Sequence, residues 1–152
     1  TMAGSLAAGW FSDRIGLRRL PLVSLAAASC LSWALLVTWN GGKPSEWALP
    51  LLFFVMGFAG TSYTLAWSIA KETNLPRFTG LAISVVNTGG FLGTALITTA
   101  MGVILDRTAG LAAVAQYRTM FLFCLACSVL GLFCAFLLQE TRCRNVTIRQ
   151  DR

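Results

Sequence analysis

The chain has 152 residues, 56% of them hydrophobic and 12% charged, and its mean hydropathy of +0.69 excludes a soluble domain of ordinary make-up. The net charge of +6 is of the kind that draws nucleic acid, but the charges are gathered in short clusters between apolar runs. No soluble basic surface remains to bind a polynucleotide, so no nucleic-acid partner is expected.

The segment Thr1 to Ser12 is apolar and glycine-rich but too short to span a bilayer, and it reads as the end of an earlier helix. The chain is therefore expected to be a piece of a longer protein. A processed chain beginning with a short interfacial helix is the alternative. A charged loop, 13–19, follows, and then come four runs without any charge: Leu20 to Gly42, Trp47 to Ala70, Phe78 to Leu105 and Thr119 to Gln139, of 23, 24, 28 and 21 residues. About twenty helical residues cross a hydrocarbon core of about 30 Å, so each run is long enough to span. The expected fold class is all-α: a polytopic transmembrane helical bundle with full helices at about 20–39, 48–70, 79–104 and 118–138, a truncated helix at 1–12 and a tail at 140–152.

If each run crosses once, Arg14, Arg18, Arg19, Lys71, Arg77, Arg142, Arg144, Arg149 and Arg152 fall on one side, and Lys43, Arg107 and Arg118 on the other. Basic loops stay cytoplasmic, which places the 13–19 loop, the Lys71 to Arg77 loop and the C-terminus in the cytoplasm of a multi-pass protein of the cell or inner membrane. The sequon Asn145-Val146-Thr147 would then never meet the glycosylation machinery. Trp39 and Trp47 read as interfacial belt residues at the opposite face.

Cys30, Cys124, Cys127 and Cys134 lie inside apolar runs, and Cys143 lies just beyond the last. The Cys124-Leu-Ala-Cys127 pair has no second pair, and the chain has no histidine. Structural packing is the expected role, with no metal site and no cofactor.

The segment Gly9-Trp-Phe-Ser-Asp13-Arg14-Ile-Gly16-Leu-Arg18-Arg19 combines a helix-packing glycine, an acid suited to the positive end of a neighbouring helix, a turn glycine and flanking bases. It resembles the signature loop of the major facilitator superfamily, whose members have twelve helices in two six-helix halves. The family carries this loop after its second and eighth helices. The second full helix here lacks the arginine expected after the first copy, and Gln139-Glu140-Thr141-Arg142 is similar to the acid-threonine-base ending common after the twelfth helix. The resemblance thus implies a partial fold, from the end of helix eight through helix twelve. It also implies that Asp13, Arg14, Arg18 and Arg19 act in gating, and that Asp13 meets a partner in N-terminal helices outside this chain. Gly102-Val-Ile-Leu-Asp106-Arg107 echoes the loop 93 residues on, as the family's inverted repeats would allow.

Polar side chains within the apolar runs mark candidate substrate-facing positions. At 100° per residue, Ser84, Asn87, Thr88, Thr94 and Thr98 share a sector of about 120° on the third full helix, with Gly89 and Gly93 roughly opposite. The polar face suits a cavity or interhelical hydrogen bonds, and the Gly89-x-x-x-Gly93 face suits close helix packing. Tyr63, Thr64 and Trp67 form a polar and aromatic patch on the second full helix, which the resemblance puts beside the central pathway. An interfacial belt is the other reading of Trp67.

No Asp, Glu, Lys, Arg or His is expected within a full helix, where each would cost about 2.5–3.5 kcal/mol. The resemblance implies transport of a small solute by alternating access as the expected function. The coupling ion, H+ or Na+, is left open, since its ionisable ligands would lie in the N-terminal helices. An accessory helical bundle is the alternative. A membrane-embedded transferase would need a histidine, a carboxylate pair or an activated nucleophile that the sequence does not supply.

Overall fold

The computed structural model describes residues 2–148. Thr1, Arg149 and Arg152 of the readings above lie outside the described residues. The order is α1 (Met2–Ile15), α2 (Arg19–Thr38), α3 (Ala48–Ala59), α4 (Tyr63–Glu72), α5 (Thr79–Arg107) and α6 (Ala113–Leu137), with single 3-10 turns at Trp39–Gly41, Gly60–Ser62 and Pro76–Phe78. No strand occurs among the described residues. Arg19–Gly41, Ala48–Glu72, Pro76–Arg107 and Ala113–Leu137 are each long and apolar enough to cross a membrane. The all-helical bundle with four spans is thus the architecture observed.

The boundaries differ from those expected wherever a charge was taken as a helix end. The first helix runs through Asp13 and Arg14 to Ile15, so half of the 13–19 loop is helical. α5 continues through Asp106 and Arg107 to a length of about 43 Å, well beyond a core of about 30 Å. Its charged end therefore clears the hydrocarbon. α6 begins at Ala113 and carries Arg118 on its second turn. The Arg118 stem lies along Gly42, where an added Cβ would meet its Cδ at 3.3 Å, and the residue is exposed, as a long basic side chain at a span's end can be. Charged groups, Glu72 among them, thus do ride on the spanning helices, at their ends.

The second span is broken where a continuous helix was expected. A 3-10 turn, Gly60–Ser62, separates α3 from α4. Thr61 is fully buried, its Oγ1 donates to the Phe58 carbonyl at 2.6 Å, and Thr64 Oγ1 donates to the Thr61 carbonyl at 2.9 Å. Hydroxyls that bond back to the preceding turn compete with the helical ladder, and the neighbouring glycines remove helix propensity. α1 crosses closely here: a Cβ on Gly4 would stand 2.8 Å from Thr61 Cγ2 and 3.1 Å from Phe58 Cδ2. A Cβ on Gly9, by contrast, would meet nothing within 4 Å among the described residues.

α2 lies in the middle, packed most extensively against α6 and next against α3. Ala8, Leu22, Leu25, Leu65, Ile69 and Ala135 form the buried apolar cluster that joins α1, α2, α4 and α6 near the basic end. α5 has no buried residue, and its main helical contacts are with α4 and α6. Much of the outer surface is large and apolar, with Leu6, Phe54, Phe91 and Leu137 at least 70% exposed. Such a surface is suited to lipid as solvent.

Candidate functional site

The basic end of the bundle is organised around Arg18. α1 stops at Gly16, whose φ of +66° is open to glycine without steric cost, and the Leu17 N–H returns to the Ser12 carbonyl at 3.3 Å. This is the wide hydrogen bond of a Schellman-type helix end, and it reverses the chain within two residues. Arg18 follows at once, buried to 8% exposure.

Its guanidinium is held on every side. Nε and Nη2 donate to Glu72 Oε1 at 3.1 and 2.9 Å, and Nη1 donates to Ser12 Oγ at 2.9 Å and lies 2.7 Å from Asp13 Oδ1. Glu72 in turn accepts a 2.5 Å hydrogen bond from Thr141 Oγ1 on its other oxygen. Burial by itself lowers the Arg18 pKa, but the hydrogen bonds to Glu72 and Asp13 outweigh it and raise the value above normal. The cation is thus fixed. Asp13 is paired inside the chain, although its side chain stays 65% exposed.

The C-terminal segment closes this site from outside. Glu140 Oε1 accepts the Arg18 N–H at 2.8 Å and the Arg142 N–H at 2.9 Å, while Oε2 accepts the Arg19 N–H at 2.8 Å. The N-terminus of α2 has no side-chain cap of its own, so a carboxylate 122 residues away satisfies its orphan amides and faces its positive dipole end. Burial alone would raise the Glu140 pKa, yet the backbone N–H groups of Arg18, Arg142, Arg19 and Thr141 hold it below its ordinary value.

Asn145 Nδ2 donates to the Lys71 and Asn74 carbonyls at 3.2 and 2.8 Å, and the Val146 N–H donates to the Glu72 carbonyl at 2.9 Å. The tail therefore caps the C-terminus of α4 as well. Between its two caps, Arg142 and Cys143 have φ of +53° and +55°, a left-handed pair costing of order 1–3 kcal/mol each that neighbouring bonds must offset. The Cys143 thiol contacts the Ser12 carbonyl at 3.6 Å, and burial pushes its pKa up.

Of the signature-loop positions, the structure brings together Asp13, Arg18 and Arg19, whose Nη2 also donates to the Phe136 carbonyl at 2.5 Å. Gly16 makes the turn. Arg14 stands apart, its guanidinium 5.2 Å from the centre of the Trp10 ring. Ser12, Glu72, Glu140, Thr141 and Asn145 were missed as site residues. A signal was available: Asp13, Glu72, Glu140 and Asp151 are the acids that the charge count puts on this face, and the first three converge on Arg18 or its backbone. Asp151 lies outside the described residues.

The candidate pathway residues are not assembled into one site. Tyr63 and Trp67 do pair edge to face, with centroids 5.0 Å apart and planes at 73°. The Ser84 and Thr94 hydroxyls donate to the Gly80 and Gly90 carbonyls of their own helix at 2.9 Å. Thr88 and Thr98 are exposed and Asn87 is half-buried. A Cβ on Gly89 or Gly93 would meet nothing within 4 Å, so no described helix packs on that face. One cavity of about 570 Å³ lies between α4 and α5, and another of about 350 Å³ lies between α1, α2 and α3. Neither is lined by the polar stripe.

No group of His, Cys, Asp and Glu among the described residues could hold a metal ion, and the five cysteines are free. A family model, described as the Major Facilitator Superfamily, matches residues 1–149. No curated protein and no solved structure matches the chain.

Proposed function

The chain belongs to the Major Facilitator Superfamily, and on that footing we propose that it carries part of the alternating-access machinery of a small-solute transporter. Members of that family are multi-pass membrane transporters rather than enzymes, which supports the reading. In the proposed register it runs from the end of helix eight to helix twelve, with its basic end and C-terminus cytoplasmic. The remaining helices complete the solute site.

The observation that carries this reading is the Arg18 cluster. An arginine bonded to Ser12, Asp13 and Glu72, over a tail that caps α2 and α4, locks three helix ends into one body. Alternating access requires such a body to rock without deforming. Asp13 reaches Arg18 through one oxygen and stays largely exposed, so it is available to a second body at the same face. α5, with its uncovered Gly89 and Gly93 and the polar stripe of Ser84, Asn87, Thr88, Thr94 and Thr98, is the surface left for the other helices and the solute. Tyr63, Thr64 and Trp67 join that pathway beside the break in the second span.

The test is uptake by the transporter that contains this segment. Asp13→Asn should abolish uptake while leaving the amount of protein in the membrane unchanged, and the 152-residue chain by itself in liposomes should move no solute above protein-free controls. Uptake unaffected by Asp13→Asn would overturn the gating role, and would favour an accessory bundle.

A further inference from the structure

The cavity of about 570 Å³ between α4 and α5 opens at the basic end and is lined by Ile69, Ala70, Phe78, Leu81, Val85 and Leu138, among others. Thr73 and Asn74 bring polar groups to it. Even these turn to backbone, however: Thr73 Oγ1 donates to the Ile69 carbonyl at 2.9 Å and Asn74 Nδ2 to the Ala70 carbonyl at 2.8 Å. A polar solute would find few groups to orient it there. The mouth has the opposite character. Arg77 is exposed and its guanidinium stands 4.8 Å from the ring centre of Phe78, a lining residue, which fixes a cation at the entrance. Exposed Lys71 follows Ala70 in the wall, and exposed Arg144 precedes Asn145, which is bonded to the Asn74 carbonyl.

Among the described residues, the acids of this face are engaged elsewhere. Glu72 is turned to Arg18 and Thr141, and Glu140 to the amides of Arg18, Arg19 and Arg142. An apolar groove ending in uncompensated cations, at the level where a bilayer places its headgroups, matches one chemistry: an acyl chain joined to an anionic headgroup. Basic pockets between helices on the cytoplasmic side recognise anionic lipids in this way.

We infer that this groove is a binding site for an anionic phospholipid of the cytoplasmic leaflet, one acyl chain lying between α4 and α5 and the headgroup phosphate on Arg77 and Lys71. The guanidinium offers phosphate a bidentate hydrogen bond, and the ammonium offers a point charge. The inference rests on the orientation proposed above but not on transport.

The experiment titrates the 152-residue chain in detergent micelles with phosphatidylglycerol and with phosphatidylcholine of the same acyl chains, counting bound lipid by native mass spectrometry. Two cations at the site should give phosphatidylglycerol a preference of roughly tenfold to thirtyfold. The double variant Lys71→Gln, Arg77→Gln removes only exposed side chains and should cut the preference to near one. Ala82→Phe, which fills the groove, should weaken both lipids. Phosphatidylglycerol with a photoreactive acyl chain should label Leu81 and Val85.

Equal affinity for the two lipids, a preference that survives the double variant, or labelling at Trp10 and Phe11 would each overturn the site. Displacement by glycerol phosphate would place the affinity in the headgroup alone and overturn the acyl groove. Loss of the label from Leu81 and Val85 in a longer protein containing this segment would mean that a helix fills the groove, with the same consequence. Uptake unaffected by Asp13→Asn in the longer transporter would overturn the gating role and leave lipid binding by the chain standing, so the two readings fail separately.

Discussion

Arg18 owes its stability at low exposure to the number of its partners. Removing one side of a buried ion pair leaves an uncompensated charge and costs about 3–5 kcal/mol, whereas replacing both partners by apolar groups can be nearly neutral. Glu72→Leu and Arg18→Met should therefore each destabilise the detergent-solubilised chain by about that amount, and the double variant by less than the sum. Equilibrium unfolding in a denaturing detergent measures it, and additive losses would show that Arg18 and Glu72 are not energetically coupled. Glu140 gives the pH dependence. Its folded-state pKa lies below the ordinary value of 4.5, so its contribution is complete above that value and is lost as the pH falls through the folded pKa. Glu140→Gln should lower stability at neutral pH and flatten the loss in acid, as thermal unfolding between pH 3 and 7 would register.

Within the elements, the spans were legible because a run of twenty or more uncharged residues has few other uses. Their ends were not. A charge marks where a helix leaves the hydrocarbon and says little about where its hydrogen bonds stop, which is why α5 and α6 outrun the expected limits at Arg107 and Ala113. The break at Gly60–Ser62 was hidden for a related reason. It arises from the hydroxyls of Thr61 and Thr64 bonding back along the chain, and hydropathy does not register that. Glycine roles separate in the same way: Gly4 and Gly9 share one helix, yet only Gly4 faces a neighbour among the described residues. Gly4→Ala should overpack the crossing with Thr61 and cost about 1–3 kcal/mol, while Gly9→Ala should be neutral or stabilise by up to about 1 kcal/mol through helix propensity. Melting temperatures of the two variants test this pair directly, and equal effects would mean that the α1 crossing is not close.

Across the whole molecule, the site was half legible. The signature residues Asp13, Arg18 and Arg19 stood out by their local spelling, but their partners Glu72 and Glu140 lie 54 and 122 residues from Arg18 in sequence. Only the fold brings them in. The tail, read from the sequence as a cytoplasmic C-terminal segment, joins α2 and α4 to the end of α6 through Glu140, Thr141 and Asn145. Asn145 donates both amide bonds to backbone carbonyls, so a glycan there would break the α4 cap. A glycosidase-sensitive mobility shift on expression in a eukaryotic cell is not expected, and seeing one would reverse the proposed orientation. Asn145→Ala should speed hydrogen exchange at the end of α4 with little change in the middle of α2.

The capping of α2 by Glu140 also has a bearing on the order of assembly. The amides of Arg18 and Arg19 emerge from the ribosome 122 and 121 residues before the carboxylate that binds them. At about 5–20 residues per second that interval is roughly 6–24 s. During it the first complete span must rest with its positive end turned to water or lipid headgroups. α6, the main partner of α2, is itself complete only at Leu137, so this end of the bundle is sealed late, by a residue synthesised after all four spans.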